Sequence, residues 1–248
     1  MRPATLFEGC IMASLFGHVH AATERILRAN GFDLQPVADQ GCCGALHAHA
    51  GQHERAVALA RRNVAAFAKQ EESVPIVVNA AGCGAMLKEY GRLLAGDPLQ
   101  QQAEALAARV RDVSEIVASC SPHTGAPLQH TVAYDPPCHL LHAQGVAAEP
   151  YAIFDAIPGI DLVTHQEADV CCGSAGSFTF FQPAVSSAVA IRKISALQAS
   201  APDIIATGNP GCIMQIGAAL RAVGDRTPVV HPIELLDWSY AKAGLYDD

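Results

Sequence analysis

Gly41-Cys42-Cys43-Gly44-Ala45 and Val170-Cys171-Cys172-Gly173-Ser174 are the stretches from which the rest of the chain can be read. Subtracting positions, 171 − 42 and 172 − 43 each give 129. A later pair, in Ala81-Gly82-Cys83 and Pro210-Gly211-Cys212, gives the same 129 (212 − 83), and Cys138 and Cys10 give 128 (138 − 10). Self-similarity at a fixed offset marks an internal repeat. Of the nine cysteines only Cys120 stands outside it, so the chain reads as a duplication with four cysteines in each copy.

Working outward, each repeated cysteine follows a short apolar run. Thr5-Leu6-Phe7 and Thr131-Val132-Ala133-Tyr134 have the composition of buried strands and lead to Cys10 and Cys138. Pro75-Ile76-Val77-Val78 and Asp203-Ile204-Ile205-Ala206 lead to Cys83 and Cys212, which this reading puts on loops about to enter a helix. Leu34 to Val37 and Leu162-Val163 precede the Cys-Cys-Gly triplets, and His53 to Gln70 reads as a helix with Val57, Ala60, Val64 and Phe67 on one face. Strands alternating with helices predict an α/β fold of two similar halves with parallel sheets, related by approximate internal two-fold symmetry. In such sheets the strand-to-helix loops gather at the carboxyl ends, so sequence-distant cysteines become neighbours. Ser121 to Pro127 has linker composition, giving repeats over 1–122 and 129–248. Gly91 to Val113 lengthens the first repeat, and Val113 to Ala118 and Ile233 to Trp238 read as the helices that close each half.

The bulk numbers narrow the function. A chain of 248 residues, half of them hydrophobic, buries a sufficient core without disulfide or metal staples. A net charge of −8 without a Lys/Arg cluster leaves nothing to neutralise phosphates, so no nucleic-acid partner is expected. No window approaches the ~18 apolar residues of a membrane span, so membrane contact is expected to be peripheral at most. No signal-peptide pattern opens the sequence. The expected location is cytoplasmic, with attachment at the inner membrane face through a partner left open. Thiols there stay reduced, and such cysteines bind metal or react rather than form a disulfide framework.

Each half offers four thiolates, the number an iron-sulfur cubane requires. In the first half 31 residues separate Cys10 from Cys42 and 39 separate Cys43 from Cys83; in the second the intervals are 32 and 39. Zinc sites favour ligand pairs two to four residues apart, and adjacent cysteines reach a single ion less readily than a cluster several ångströms wide. Iron-sulfur is therefore preferred, with zinc and a thiol-disulfide centre as rivals. Gly9, Gly41, Gly44, Gly82, Gly84, Gly173, Gly176 and Gly211 stand beside the cysteines, where backbone N–H groups can reach sulfur. His139 and His142 flank Cys138 and are candidates for ordering a cluster, relaying a proton or capping a loop. His47, His49 and His53 read as a polar helix entrance, Cys120 as a free thiol, and Asp135-Pro136-Pro137 as a loop pinned by prolines. Neither a dinucleotide phosphate loop nor a nucleophile elbow is visible, so no flavin or nicotinamide is expected on this chain.

The motifs then become specific. A lone cysteine, Cys-Cys-Gly and a later cysteine, twice over, resembles the cysteine-rich CCG domain shared by the heterodisulfide reductases and their relatives. Leu6-Phe7-Glu8-Gly9-Cys10, Gly41 to Ala45, Gly82 to Gly91 and Cys138 to Gln144 resemble more closely the C-terminal half of the glycolate oxidase iron-sulfur subunit. The resemblance implies that Cys10, Cys42, Cys43, Cys83, Cys138, Cys171, Cys172 and Cys212 bind iron-sulfur clusters, 4Fe-4S in type, one per repeat. It implies an electron-transfer subunit of a glycolate-type 2-hydroxyacid oxidoreductase, taking electrons from a flavin-containing partner subunit to a quinone or other acceptor. The two ferredoxin-like motifs of the full-length family subunit have no counterpart before Cys10, which implies a separate ferredoxin-like protein or domain. The alternative is a thiol/disulfide or quinone reductase acting at its own cluster, as in the heterodisulfide reductases. Their CCG domain carries a fifth cysteine where Met86 and Gln215 stand here, which favours ordinary electron transfer.

Overall fold

The computed structural model describes residues 1–246. The first half runs β1 (Arg2–Phe7), α1 (Ile11–Leu15), α2 (Gly17–Ala29), β2 (Phe32–Gln35), α3 (Ala45–His49), α4 (His53–Phe67) and β3 (Ile76–Val78). It continues through α5 (Ala81–Lys88), α6 (Tyr90–Leu93), α7 (Gln100–Arg109), β4 (Val110–Asp112) and α8 (Val113–Ser119). The second half repeats the plan with β5 (His130–Tyr134), a π-helix (His139–Gln144), α9 (Tyr151–Asp155), β6 (Ile160–Val163), α10 (Phe178–Phe181) and α11 (Pro183–Ala199). Then follow β7 (Ile204–Ala206), α12 (Pro210–Ala222), β8 (Val229–Val230) and α13 (Pro232–Lys242).

Two four-stranded sheets result, ordered β2-β1-β3-β4 and β6-β5-β7-β8, with every pairing parallel. The expected α/β architecture of two similar halves is what the chain adopts. The central strands are short and apolar because both sheet faces are covered: β3 is Ile-Val-Val and β7 Ile-Ile-Ala, all buried. Four details differ from the sequence reading. β2 ends at Gln35, because the chain turns toward the cysteines there, and α4 stops at Phe67 rather than Gln70. Strands β4 and β8 were not expected; with three and two residues they are too short to show a period. Cys83 and Cys212 lie inside the first turns of α5 and α12, not before them.

The expected closing helices α8 and α13 are present, each opened by a capping box. Asp112 Oδ1 accepts the Ser114 N–H at 2.9 Å while Glu115 Oε2 accepts the Asp112 N–H at 2.7 Å. In the second half His231 replaces the aspartate: Nδ1 accepts the Ile233 N–H at 3.2 Å, and Glu234 Oε2 accepts the His231 N–H at 2.7 Å. These helices do not serve their own halves alone. α13 packs on α2 of the first half, and α8 packs on α9 of the second. Ile26, Leu27, Val113, Ile116, Phe154, Leu235 and Tyr240 thereby share one core between the sheets. Smaller clusters around Phe7, Val64 and Phe67, and around Ile194, Leu197 and Ile205, fill the outer faces.

Candidate functional site

Parallel strands deliver the cysteines to one end of each sheet. Cys10 is the residue before α1, Cys42 and Cys43 follow β2, and Cys83 is the third residue of α5. Cys138 precedes the π-helix, Cys171 and Cys172 follow β6, and Cys212 is the third residue of α12. In the first half Cys10 Sγ lies 3.2 Å from Cys42 Sγ, and Cys43 Sγ lies 3.2 Å from Cys83 Sγ. In the second half Cys172 Sγ and Cys212 Sγ are 3.1 Å apart, and Cys138 lies near enough to Cys171 for each thiol to shift the other's pKa. The thiols therefore meet in pairs on the loops at one end of each sheet, with Cys43, Cys172 and Cys212 buried and the others half-buried. Cys120 belongs to neither set; it ends α8 and donates to the Val117 carbonyl at 3.1 Å.

Backbone geometry around the triplets is shared. The Gly44 N–H points at Cys42 Sγ (3.4 Å) and the Gly173 N–H at Cys171 Sγ (3.3 Å). Both glycines take positive φ, +86° and +90°. A Cβ on Gly173 would stand 2.6 Å from the Ser186 carbonyl oxygen, so only glycine allows the loop to press against α11. The carbonyls of the first triplet are held by groups that sequence reasoning did not single out. Tyr90 donates to the Cys43 carbonyl at 2.8 Å, and Asn63 bonds the Cys42 carbonyl, the Gly41 N–H and the Tyr90 hydroxyl. The available signal was Asn63 itself, a polar residue on the face of α4 that carries Ala60, Val64 and Phe67.

The second triplet is supported differently. Ser186 Oγ donates to the Gly173 carbonyl at 2.8 Å and accepts from Gln215 Nε2 at 2.9 Å, while Thr179 bonds Gln215 Oε1 at 3.2 Å. Gln215 is thus engaged in bracing the loop. Behind the site Lys193 Nζ donates to Asp135 Oδ1 at 2.7 Å and to the Glu167 carbonyl at 2.6 Å, and His165 Nε2 lies 3.5 Å from the same carboxylate oxygen. Asp135, which the sequence reading left without a role, therefore anchors a fully buried ion pair three residues before Cys138. His139 Nδ1 is 3.7 Å from Cys138 Sγ, and its ring faces His49 of the first half at 5.9 Å. Burial and then the nearby His49 lower its pKa. His142 lies at the surface bonded to the Asp169 carbonyl, and His47 pairs with Gln52.

Crowding decides the charge of the thiols. The hydrogen bond to Cys42, then burial, pushes the Cys10 thiol far above its usual value. The bond to Cys171, then burial, does the same to Cys138; Cys172 is raised by its bonds to Cys171 and Cys212 and by burial. Cys171, accepting from Cys138 and Cys172, is pushed down. The protein alone therefore resists holding four thiolates together, and a positively charged inorganic core would relieve that repulsion with release of protons. Among the described residues no group of three or more His, Cys, Asp or Glu side chains is set to hold a metal ion, and the thiols meet in close pairs. The donor set, eight thiols in two fours with backbone N–H groups aimed at sulfur, fits iron-sulfur clusters.

Two thiol-lined parallel α/β halves of one design define a duplicated cysteine-rich module. The chain belongs to the cysteine-rich domain family CCG, whose model matches residues 4–88 and 132–217. It is 32% identical over 236 residues to the probable glycolate oxidase iron-sulfur subunit of Bacillus subtilis, covering 93% of this chain and 53% of that protein. The chain thus spans about half the length of that curated relative. It is 29% identical to lactate utilization protein A of Oceanobacillus iheyensis, over 94% of this chain and 96% of that protein. A crystal structure of a Helicobacter pylori protein shares the fold, with a TM-score of 0.70 at 11% identity, covering 96% of this chain and 49% of that one.

Proposed function

We propose that this chain is the iron-sulfur unit of an oxidoreductase acting on a small 2-hydroxyacid such as glycolate or lactate. One four-iron cubane per half would be held by Cys10, Cys42, Cys43 and Cys83, and by Cys138, Cys171, Cys172 and Cys212. The observation that carries the reading is that thiols 32 to 40 positions apart meet in close pairs at the carboxyl end of each sheet. The names of the Bacillus and Oceanobacillus relatives supply the substrate class.

A flavin on a partner subunit would take a hydride equivalent from the hydroxyacid, and bound clusters would supply one-electron storage on the way to a quinone or other acceptor. The chain's own residues do the rest. Gly44 and Gly173 aim N–H groups at Cys42 and Cys171, stabilising negative charge on sulfur. Asn63 and Tyr90 fix the first triplet, and Ser186 and Gln215 brace the second. Burial of Cys43, Cys172 and Cys212 keeps water from those sulfurs. No helix among the described residues is long and apolar enough to cross a membrane.

Anaerobic purification with iron, sulfide and electron paramagnetic resonance assays tests the proposal. Roughly eight irons per chain and a dithionite-reducible signal are expected, with Cys43→Ser losing about half of the iron. Zinc, or no metal, in the wild-type protein would sink it.

A further inference from the structure

Asn209 occupies the position before α12, where an asparagine ordinarily accepts an N–H from the first turn of its own helix. It makes no such bond. Its Oδ1 instead accepts the N–H of Gly82, in the first turn of α5 in the other half, at 3.1 Å. The adjacent Gly208 carbonyl accepts the neighbouring Ala81 N–H at 3.2 Å. The other end of the same amide, Nδ2, donates to Cys212 Sγ at 3.5 Å. One side chain therefore joins the first turn of the helix that carries Cys83 to the sulfur of Cys212.

The duplication shows that this bridge runs one way. The repeat offset puts Ala80 at the equivalent place before α5 (209 − 129 = 80), and Ala80 offers no side-chain cap. The first turn of α5 takes its caps from the second half, and Cys83 receives nothing from position 80 in return. An amide is a planar group whose two ends polarise together, so more negative charge on Cys212 Sγ strengthens the Nδ2–H bond and with it the acceptor at Gly82.

We infer that Asn209 couples the two cysteine sites. It stabilises the reduced state of the group held by Cys212 and ties that state to the helix carrying Cys83. The inference rests on the iron-sulfur reading above. It makes Asn209 a positioning residue, since it acts through Cys212 and Gly82 rather than by ligation. A hydrogen bond to a ligand sulfur favours the added electron and raises the reduction potential.

The test compares the full chain, purified without oxygen, with Asn209→Ala and Asn209→Asp in titrations followed by electron paramagnetic resonance. Cys212→Ser identifies the second-site signal. Aspartate keeps an acceptor for the Gly82 N–H but removes the donor to sulfur and adds negative charge. A purely structural cap therefore predicts that Asn209→Ala, which adds no charge, leaves the second-site midpoint at the wild-type value. The bridge predicts that both variants lower the second-site midpoint, Asn209→Asp by more. Unchanged midpoints at wild-type iron content overturn the inference. Absence of iron from the wild type, read before any titration, overturns the iron-sulfur reading itself. Hydrogen exchange on the metal-free chain gives an independent readout at Gly82. Faster exchange in Asn209→Ala but not in Asn209→Asp supports the cross-half cap, and equal protection in all three proteins removes it.

Discussion

His231 shows how much one imidazole can carry in this molecule. Its Nε2–H donates to the Asn79 carbonyl of the other half at 3.0 Å, and its Nδ1 accepts the Ile233 N–H that opens α13. Accepting at Nδ1 requires the neutral ring, and burial, outweighing the Asn79 bond that favours the charged form, lowers its pKa from 6.5 to about 4. The unfolded chain therefore takes up a proton near pH 6.5 that the folded chain refuses until about pH 4. Stability from this residue is fully present above pH 6.5 and falls as the pH drops through that window, by about 3 kcal/mol at most. Urea unfolding at a series of pH values should show this slope in the wild type and a shallower one in His231→Asn. Asparagine keeps a side-chain acceptor for the helix and does not charge, and its cost at pH 7 should be about 1 kcal/mol. Parallel profiles for the two proteins would refute the account.

At the scale of elements, the duplication acts as an internal control. Where the first half has Phe7 of β1 and the buried Asn63 of α4, the second half has Asp135 after β5 and Lys193 of α11. The strand positions correspond by 135 − 7 = 128, and the helix positions by 193 − 63 = 130, the offset at which the buried residues Ala56, Ala60, Val64 and Phe67 of α4 also answer Ser186, Ala190, Ile194 and Leu197 of α11. A buried ion pair contributes little net stability, because desolvating two charges consumes the gain of pairing them, yet losing one partner strands the other. Lys193→Val alone should cost about 3–5 kcal/mol. Adding Asp135→Phe, which puts the first half's residue at that position and removes the stranded carboxylate, should recover most of that loss in denaturant unfolding, while His165 keeps its bond to the Gln166 carbonyl. If the double variant is no more stable than the single one, an apolar pair cannot stand in for the ion pair at this point. The pair would then owe its retention to something other than packing.

For the whole molecule, the exchange of closing helices matters most. α13 covers α2 and α8 covers α9, and Arg25 clamps Asp237 across the halves with two bonds of 2.9 and 2.7 Å. Residues 1–122 alone would expose the apolar side of α2, including Val19, Ile26 and Leu27, each buried in the full chain. Apolar burial stabilises by about 25 cal/mol per Å², so losing this shared layer should leave the fragment without a cooperative transition. The full chain should melt in one step by both far- and near-ultraviolet circular dichroism. A fragment with its own sharp melt, or two transitions in the full chain, would show that each half is an independent folding unit.

The sequence by itself determined the duplication, the parallel α/β class and the four cysteines of each half, because a repeat offset and strand-length apolar runs are properties of linear order. It located α4, α8 and α13 within a few residues, since helices of that length declare their apolar face. What it could not hold was anything that depends on which surfaces meet. The first-turn positions of Cys83 and Cys212 depend on where the helix begins, which packing and capping decide rather than periodicity. Asn63, Lys193 and Asn209 are ordinary polar letters until the fold buries them or sets them against a sulfur. The bridge from Cys212 to the Cys83 helix spans 127 positions (209 − 82). Only tertiary structure decides such a contact, because hydrogen bonds act over about 3 Å of space and are blind to distance along the chain.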